Sequence, residues 1–387
     1  MPTDRRKIAI AQPCTGEDEW QAAREPILSG WLTQGPKVAA FEQAFAARHQ
    51  VTHAVACSSC TTGLHLALAA MGIGPGDEVI VPSFTWVATA NAVLYCGATP
   101  VLADVDRRTY NLDPAQVAAK RTRKTKAILA VHLFGLCADV DAIAAAAPGL
   151  RIVEDAACAS GSSYKGRPAG GLGLLGVFSF HPRKSVTTGE GGMVTTHDDA
   201  LAARVDSLRN HGASISEEQR HAGPRPYILP DFDVLGYNYR MTDVQGAIGL
   251  VQLGKLDRFI AERDRWAAYY ARELADIPWL RTPQTPAGYS HGWQSYVTYV
   301  EPDAPLPRNA IMERLEAQGI ATRPGTHAIH VLGYYRRRFG LADDDFPASR
   351  DCGRNTMAIP LHNRMSDQDY ACVVAALHDI AAGRKAR

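Results

Sequence analysis

Three short stretches hold residues whose types and spacing suit one chemistry. In Val177-Phe-Ser-Phe-His-Pro-Arg-Lys-Ser-Val-Thr-Thr-Gly-Glu-Gly-Gly-Met-Val, an apolar run ends in a turn carrying Lys184, and a glycine-rich turn leads into the next run. A lysine fixed on such a turn, poorly solvated and beside His181 and Arg183, is expected to have a lowered pKa and to act as an imine-forming amine. The plain alternative is a solvated loop lysine. Ile152-Val-Glu-Asp-Ala-Ala-Cys places Asp155 just past an apolar strand, where open α/β sheets put ligand-binding side chains. Alone it reads as a cap or a surface charge, and it gains meaning beside a cationic partner. Cys57-Ser-Ser-Cys-Thr-Thr-Gly-Leu-His-Leu-Ala-Leu sets small hydroxyl residues between a strand and an amphipathic helix. A helix starting there offers free N–H groups, its positive dipole end and the hydroxyls of Ser59, Thr61 and Thr62 to a phosphate; ordinary N-capping is the alternative.

These stretches need a scaffold that brings them together. From about residue 52 to 200, short β-rich runs alternate with helical patterns, the signature of an α/β layer architecture. Strands are predicted at Ala54–Cys57, Glu78–Pro82, Pro100–Asp104, Ala127–His132, Arg151–Glu154, Val177–Phe180 and Gly192–Thr195, forming one wide, largely parallel sheet. Helices are predicted over Leu64–Met71, Thr85–Tyr95, Pro114–Ala119 and Asp139–Ala147. Glu217 to Asp233, rich in Pro, Gly and charge, reads as a long loop. Thr242–Ile260 reads as a long helix continuing toward Trp266–Leu274 and linking two domains, residues 1–255 with an N-terminal arm and residues 256–387. The second is expected to be a small α+β domain with a strand at Tyr296–Val300 and helices at Pro307–Gln318 and Ser366–Ala382.

Composition narrows the possibilities. The 387 residues carry 41 basic and 40 acidic side chains, so the net charge of +1 gives no field to gather nucleic acid or an anionic membrane. Gln12 and Pro13 interrupt the first apolar stretch too early for a signal peptide, no long uncharged apolar run follows, and a soluble cytoplasmic protein is expected. Eight cysteines lack the density of a disulfide scaffold. Cys57 and Cys60 form a C-x-x-C that reads as a redox pair or half a zinc site, but no second pair stands at finger spacing, so no metal is expected. Gly171-Leu-Gly-Leu-Leu-Gly176 matches a dinucleotide fingerprint, yet it leads into a strand where that fingerprint requires a helix.

Taken together, the segments resemble the DegT/DnrJ/EryC1/StrS family of sugar aminotransferases. The resemblance rests on Ser58-Ser-Cys-Thr61, Pro82-Ser-Phe-Thr-Trp-Val-Ala-Thr89, Val131-His-Leu-Phe-Gly135, Glu154-Asp-Ala-Ala157, Phe178-Ser-Phe-His-Pro-Arg-Lys184, Gly189-Glu-Gly-Gly192, Gly236-Tyr-Asn-Tyr-Arg-Met-Thr-Asp243 and Ile359-Pro-Leu-His362, in the family's order across nearly the whole chain. It implies the fold-type I architecture of aspartate aminotransferase and a pyridoxal 5'-phosphate cofactor. Lys184 would hold the cofactor and shuttle the proton between cofactor and substrate carbons. Asp155 would pair with the pyridine nitrogen, Trp86 would stack on the ring, and Ser59, Cys60, Thr61 and Ser179 would surround the phosphate. Asn238 would reach the phosphate from the neighbouring subunit, which makes a homodimer with shared sites the expected unit. Cys158 departs from the family, where a Gln or His commonly contacts the ring. A dehydratase branch replaces the lysine with histidine, so Lys184 favours transamination.

The resemblance further implies an amino acid donor, glutamate or glutamine, and a nucleotide-linked keto hexose as acceptor, in amino-sugar, polysaccharide or antibiotic biosynthesis. A glutamine-dependent aminotransferase for a cyclitol ketone such as an inosose is the nearest alternative. His181, Tyr239, Arg323, His327 and His330 are candidate substrate contacts, each with a structural reading beside it. Arg336-Arg-Arg338 is a solvated face or a diphosphate contact. The rivals from other classes are a non-catalytic cofactor-binding regulator and a redox protein using Cys57 and Cys60.

Overall fold

The computed structural model describes residues 7–215, 227 and 229–384. Its first body is built from β1 (His53–Cys57), α3 (Cys60–Ala70), β2 (Glu78–Pro82), α4 (Ala88–Tyr95), β3 (Thr99–Ala103), α5 (Pro114–Lys120), β4 (Thr125–Val131), α6 (Val140–Ala146), β5 (Arg151–Asp155), β6 (Leu175–Ser179), β7 (Gly192–Thr196) and α7 (Asp199–Arg209). Two helices precede β1, namely α1 (Glu17–Ser29) and α2 (Pro36–His49). The sheet has seven strands in the order β1-β7-β6-β5-β4-β2-β3. Only β7 runs against the others, pairing antiparallel with both β1 and β6. The carboxyl ends of β1, β5 and β6 therefore meet at one edge of the sheet, where open α/β folds bind ligands.

The sheet is buried on both faces, which is why its strands read as apolar runs rather than alternating ones. Along β2, Val79 and Val81 join one core with Leu64, Leu66 and Leu68 of α3, while Ile80 joins another with Val117 of α5 and Ile143 of α6. Phe41 and Phe45 of α2 pack with Phe178 and Phe180 around β6.

The sequence reading foresees every strand of this sheet to within two residues at either end. Two of its expectations need correction, and two helices were not expected at all. The helix expected from Thr85 starts at Ala88, because Phe84–Thr85 pair instead with His327–Ala328. The helix expected through Ile260 is two, α8 (Asp243–Gly254), capped by Thr242, and α9 (Leu256–Glu273), joined at Lys255. Helices α1 and α2 were not foreseen, although Pro36 at the start of α2 is a usable signal. Most of the loop read at Glu217 to Asp233 lies outside the described residues.

A second sheet orders Leu280–Arg281, β8 (Tyr296–Val300), β9 (Thr356–Ile359) and Arg323–Pro324. It packs with α9, α10 (Arg308–Ala317) and α11 (Asp367–Ala381) around Trp266, Tyr270, Tyr296 and Leu377. Ile8 joins this second core and bridges Ile320. No helix among the described residues is long and apolar enough to cross a membrane.

Candidate active site

The site forms where the sheet's carboxyl edge meets the start of α3. Across that edge Cys57 faces Gly192, and Gly192 faces Ser179. Gly192 has to lack a side chain, since a Cβ there would sit 2.6 Å from the Ser59 carbonyl and 2.7 Å from the Cys60 nitrogen. That close approach seats the first turn of α3 on the sheet. Ser59 is the N-cap, its hydroxyl accepting from the Thr62 N–H at 3.2 Å, with Thr62 answering the Ser59 N–H at 3.0 Å. The capping reading therefore holds for Ser59 and Thr62. The amides of Cys60 and Thr61, in the first turn, have no acceptor within the helix and remain available to an anion.

Asp155 ends β5 and is only 5% exposed. One carboxylate oxygen accepts from the Thr89 hydroxyl at 2.7 Å and the other from the Ala157 N–H at 3.2 Å. Burial raises its pKa, offset in part by Thr89 and Ala157. A buried carboxylate with no ion-pair partner among the described residues calls for a cation to complete it. Thr89, quoted in the sequence reading only as the end of a motif and given no role there, also meets the Thr85 hydroxyl at 3.2 Å, and that four-residue spacing was the available signal.

Lys184 follows β6 in a turn closed by its own N–H to the His181 carbonyl at 2.9 Å. Its Nζ donates to Cys158 Sγ at 3.2 Å. The lowered pKa expected for this amine is corrected here. Burial pushes it down, but Cys158, Cys60 and Asp155 more than offset that and leave it raised above the ordinary lysine value. The same four groups thus form one electrostatic cluster. Cys60 belongs to it with a thiol pushed well up by burial, then by Asp155. Ser179 sits at the end of β6, 3.5 Å from the His181 N–H, and His181 in turn accepts from the Arg183 N–H at 3.2 Å. Burial lowers the His181 pKa.

The outer residues divide. Trp86 is 60% exposed, and His327 packs edge-on against it with ring centres 5.4 Å apart. Arg183 has its pKa lowered first by burial and then by the charge of Arg323. His330 departs from the expected substrate role. It is fully buried, with Nδ1 2.7 Å from the Ser83 hydroxyl and Nε2 3.2 Å from the Asp343 carbonyl. Tyr239 also turns elsewhere, stacking on Tyr237 at 5.0 Å with its hydroxyl 3.3 Å from His65. Asn238, between those two tyrosines, bridges Asn210 through its backbone.

These residues fit pyridoxal 5'-phosphate. The unpaired amides of α3 suit its phosphate, the buried Asp155 its protonated ring nitrogen, and Lys184 its aldehyde carbon. Among the described residues no group of three or more His, Cys, Asp or Glu could hold a metal ion, and Cys57 and Cys60 are both free thiols.

Comparison with known proteins agrees. Residues 13–378 match the DegT/DnrJ/EryC1/StrS aminotransferase family. The chain is 41% identical to GDP-perosamine synthase of Caulobacter vibrioides, over 98% of this chain and 99% of that protein. It is 40% identical to the spore coat polysaccharide biosynthesis protein SpsC of Bacillus subtilis, over 97% of each. Among solved structures, the PLP form of the putative sugar aminotransferase Spr1654 from Streptococcus pneumoniae superposes with a TM-score of 0.90 at 27% identity, covering 98% of this chain and 99% of that one.

Proposed function

The chain belongs to the DegT/DnrJ/EryC1/StrS aminotransferase family and is a pyridoxal-phosphate-dependent transaminase, and on that premise we propose how its residues divide the work and what it aminates. The observation that carries the assignment of roles is the convergence of Lys184, Asp155 and the open end of α3 on one sheet edge. Bound there, pyridoxal phosphate supplies the electron sink that lets nitrogen pass between donor and acceptor.

The protein's own groups bind, orient and move protons. The amides of Cys60 and Thr61, with the Ser179 hydroxyl, hold the phosphate, and Asn238 of the partner subunit completes that seat. Asp155, fixed by Thr89 and Ala157, holds the proton on the ring nitrogen. The Trp86 indole covers one face of the ring and excludes water from it. Lys184 Nζ holds the cofactor between turnovers and carries the proton between donor or acceptor carbon and the site. The homodimer follows from the shared phosphate seat. The break at Lys255 and the second core support a division into residues 1–255 and 256–387.

For the acceptor we favour a nucleotide-linked keto sugar, on the identity of 41% to GDP-perosamine synthase across nearly both chains. Glutamate is the favoured donor. Arg323 and His327, beside Arg183 and Trp86, are the proposed acceptor contacts. The test is the visible absorption of the purified protein. Glutamate should bleach the cofactor band of the wild type and leave that of Lys184→Ala unconverted. A wild type that takes up no pyridoxal phosphate would overturn the assignment of roles.

A further inference from the structure

We propose that Cys158 is the proton partner of Lys184: its sulfur holds the amine in place and takes or returns the proton the amine must lose before it can bond a carbonyl carbon. This rests on the reading of Lys184 as the cofactor-holding residue. The contact is Nζ to Sγ at 3.2 Å, and it joins separate elements, since Cys158 lies just beyond β5 and Lys184 just beyond β6. The pairing of Asp155 with Val177 fixes those two strands side by side, so sheet register brings the sulfur to the amine.

The other ionisable groups around the pair are Asp155 at the end of β5, Cys60 at the start of α3, Cys57 behind Cys60, and His132 beyond Asp155. His181, whose charge Lys184 also opposes, stands in the same turn, but its Nδ1 accepts from the Arg183 N–H at 3.2 Å and it makes no hydrogen bond to Nζ among the described residues. None of these groups matches Cys158 for this task. Asp155 has its oxygens turned to Thr89 and Ala157. Cys60 points its sulfur at the Val177 carbonyl, 3.9 Å away, and burial keeps it protonated. Cys158 is the hydrogen-bond partner of Nζ among the described residues.

The step balances without solvent. An N–H bond of the Lys184 ammonium breaks and an S–H bond forms on a Cys158 thiolate, leaving a neutral amine and a neutral thiol; the reverse restores the ion pair. Net charge is unchanged, so a buried site need not expel or admit an ion, which in a low-dielectric setting is the costly event. A hydroxyl in place of sulfur could accept a hydrogen bond but would not accept the proton.

The test labels the full-length chain, freed of cofactor, with iodoacetamide across pH and counts modification at Cys158 by peptide mass spectrometry. If the two groups share a proton as proposed, wild type should label to lower pH than Lys184→Met. The plateau at high pH reports access alone, so a change there without displacement counts against the proposal. Superimposable profiles overturn it. In the cofactor-loaded enzyme, Cys158→Ser should move the pH at which the visible band changes, and an unmoved titration would likewise overturn it. If the chain takes up no pyridoxal phosphate, the proposed function fails, while the labelling profile still decides the Lys184 and Cys158 pair.

Discussion

The inner cradle and the outer mouth of this site are built on different principles. In the cradle, Asp155, Ser179, Lys184 and Cys60 hang from strand ends or a helix start, and strand register sets their spacing. At the mouth, Trp86, Arg183, Arg323 and His327 come from turns and short pairings contributed by both bodies. A cradle locked into a buried sheet can hold one cofactor in one pose, whereas an exposed rim can change with the substrate without unsettling the chemistry. Changes in the cradle should therefore alter reaction rate and cofactor retention, and changes at the mouth should alter acceptor affinity.

Lys184→Ala tests the strongest form of that contrast. Transamination should fall by at least about 10³-fold in single-turnover assays with glutamate, if one group both holds the cofactor and moves the proton as proposed. A loss below tenfold would move the catalytic role elsewhere. Asp155→Asn should come next, with kcat down about 10²-fold, because a neutral amide cannot hold the ring nitrogen's proton by charge. Gly192→Ala should cost about 1–3 kcal/mol of stability, because the new Cβ has backbone on its far side and not a movable side chain. Its Tm should drop, and its affinity for pyridoxal phosphate should fall further than for an alanine placed at Gly254, where a Cβ meets nothing within 4 Å. Equal effects at the two positions would contradict the close-packed α3 start.

Sequence made the cradle legible and left the mouth half-read, and the reason is local. Asp155 and Lys184 each follow a short apolar run, bounded by turn residues, that reads as a buried strand, so their place near a sheet edge was within reach of the local pattern. Trp86 falls inside the helix expected from Thr85, but it stands just before α4 because Phe84–Thr85 pair with residues more than 240 positions later. No local pattern announces such a pairing. The same long-range pairing explains the two histidines of Thr322-Arg-Pro-Gly-Thr-His-Ala-Ile-His: His327 meets Trp86, while His330, three residues on, turns inward to Ser83. The Lys184 pKa was misjudged because burial was weighed without Cys158, a neighbour 26 residues away in sequence.

Those two histidines give the smallest effect and the finest test of the contrast. His327→Ala should raise KM for the keto-sugar acceptor by about tenfold, the worth of one good polar contact, with thermal stability and the cofactor band unchanged. His330→Ala should do the reverse. It leaves the buried Ser83 hydroxyl without its partner, so stability should drop by about 1–3 kcal/mol while KM stays near the wild-type value in the cold. Thermal melts and acceptor titrations on both variants separate the cases. If His330→Ala raised KM without lowering Tm, the boundary between scaffold and mouth would lie three residues further along the chain, and the buried Ser83 contact would belong to substrate binding.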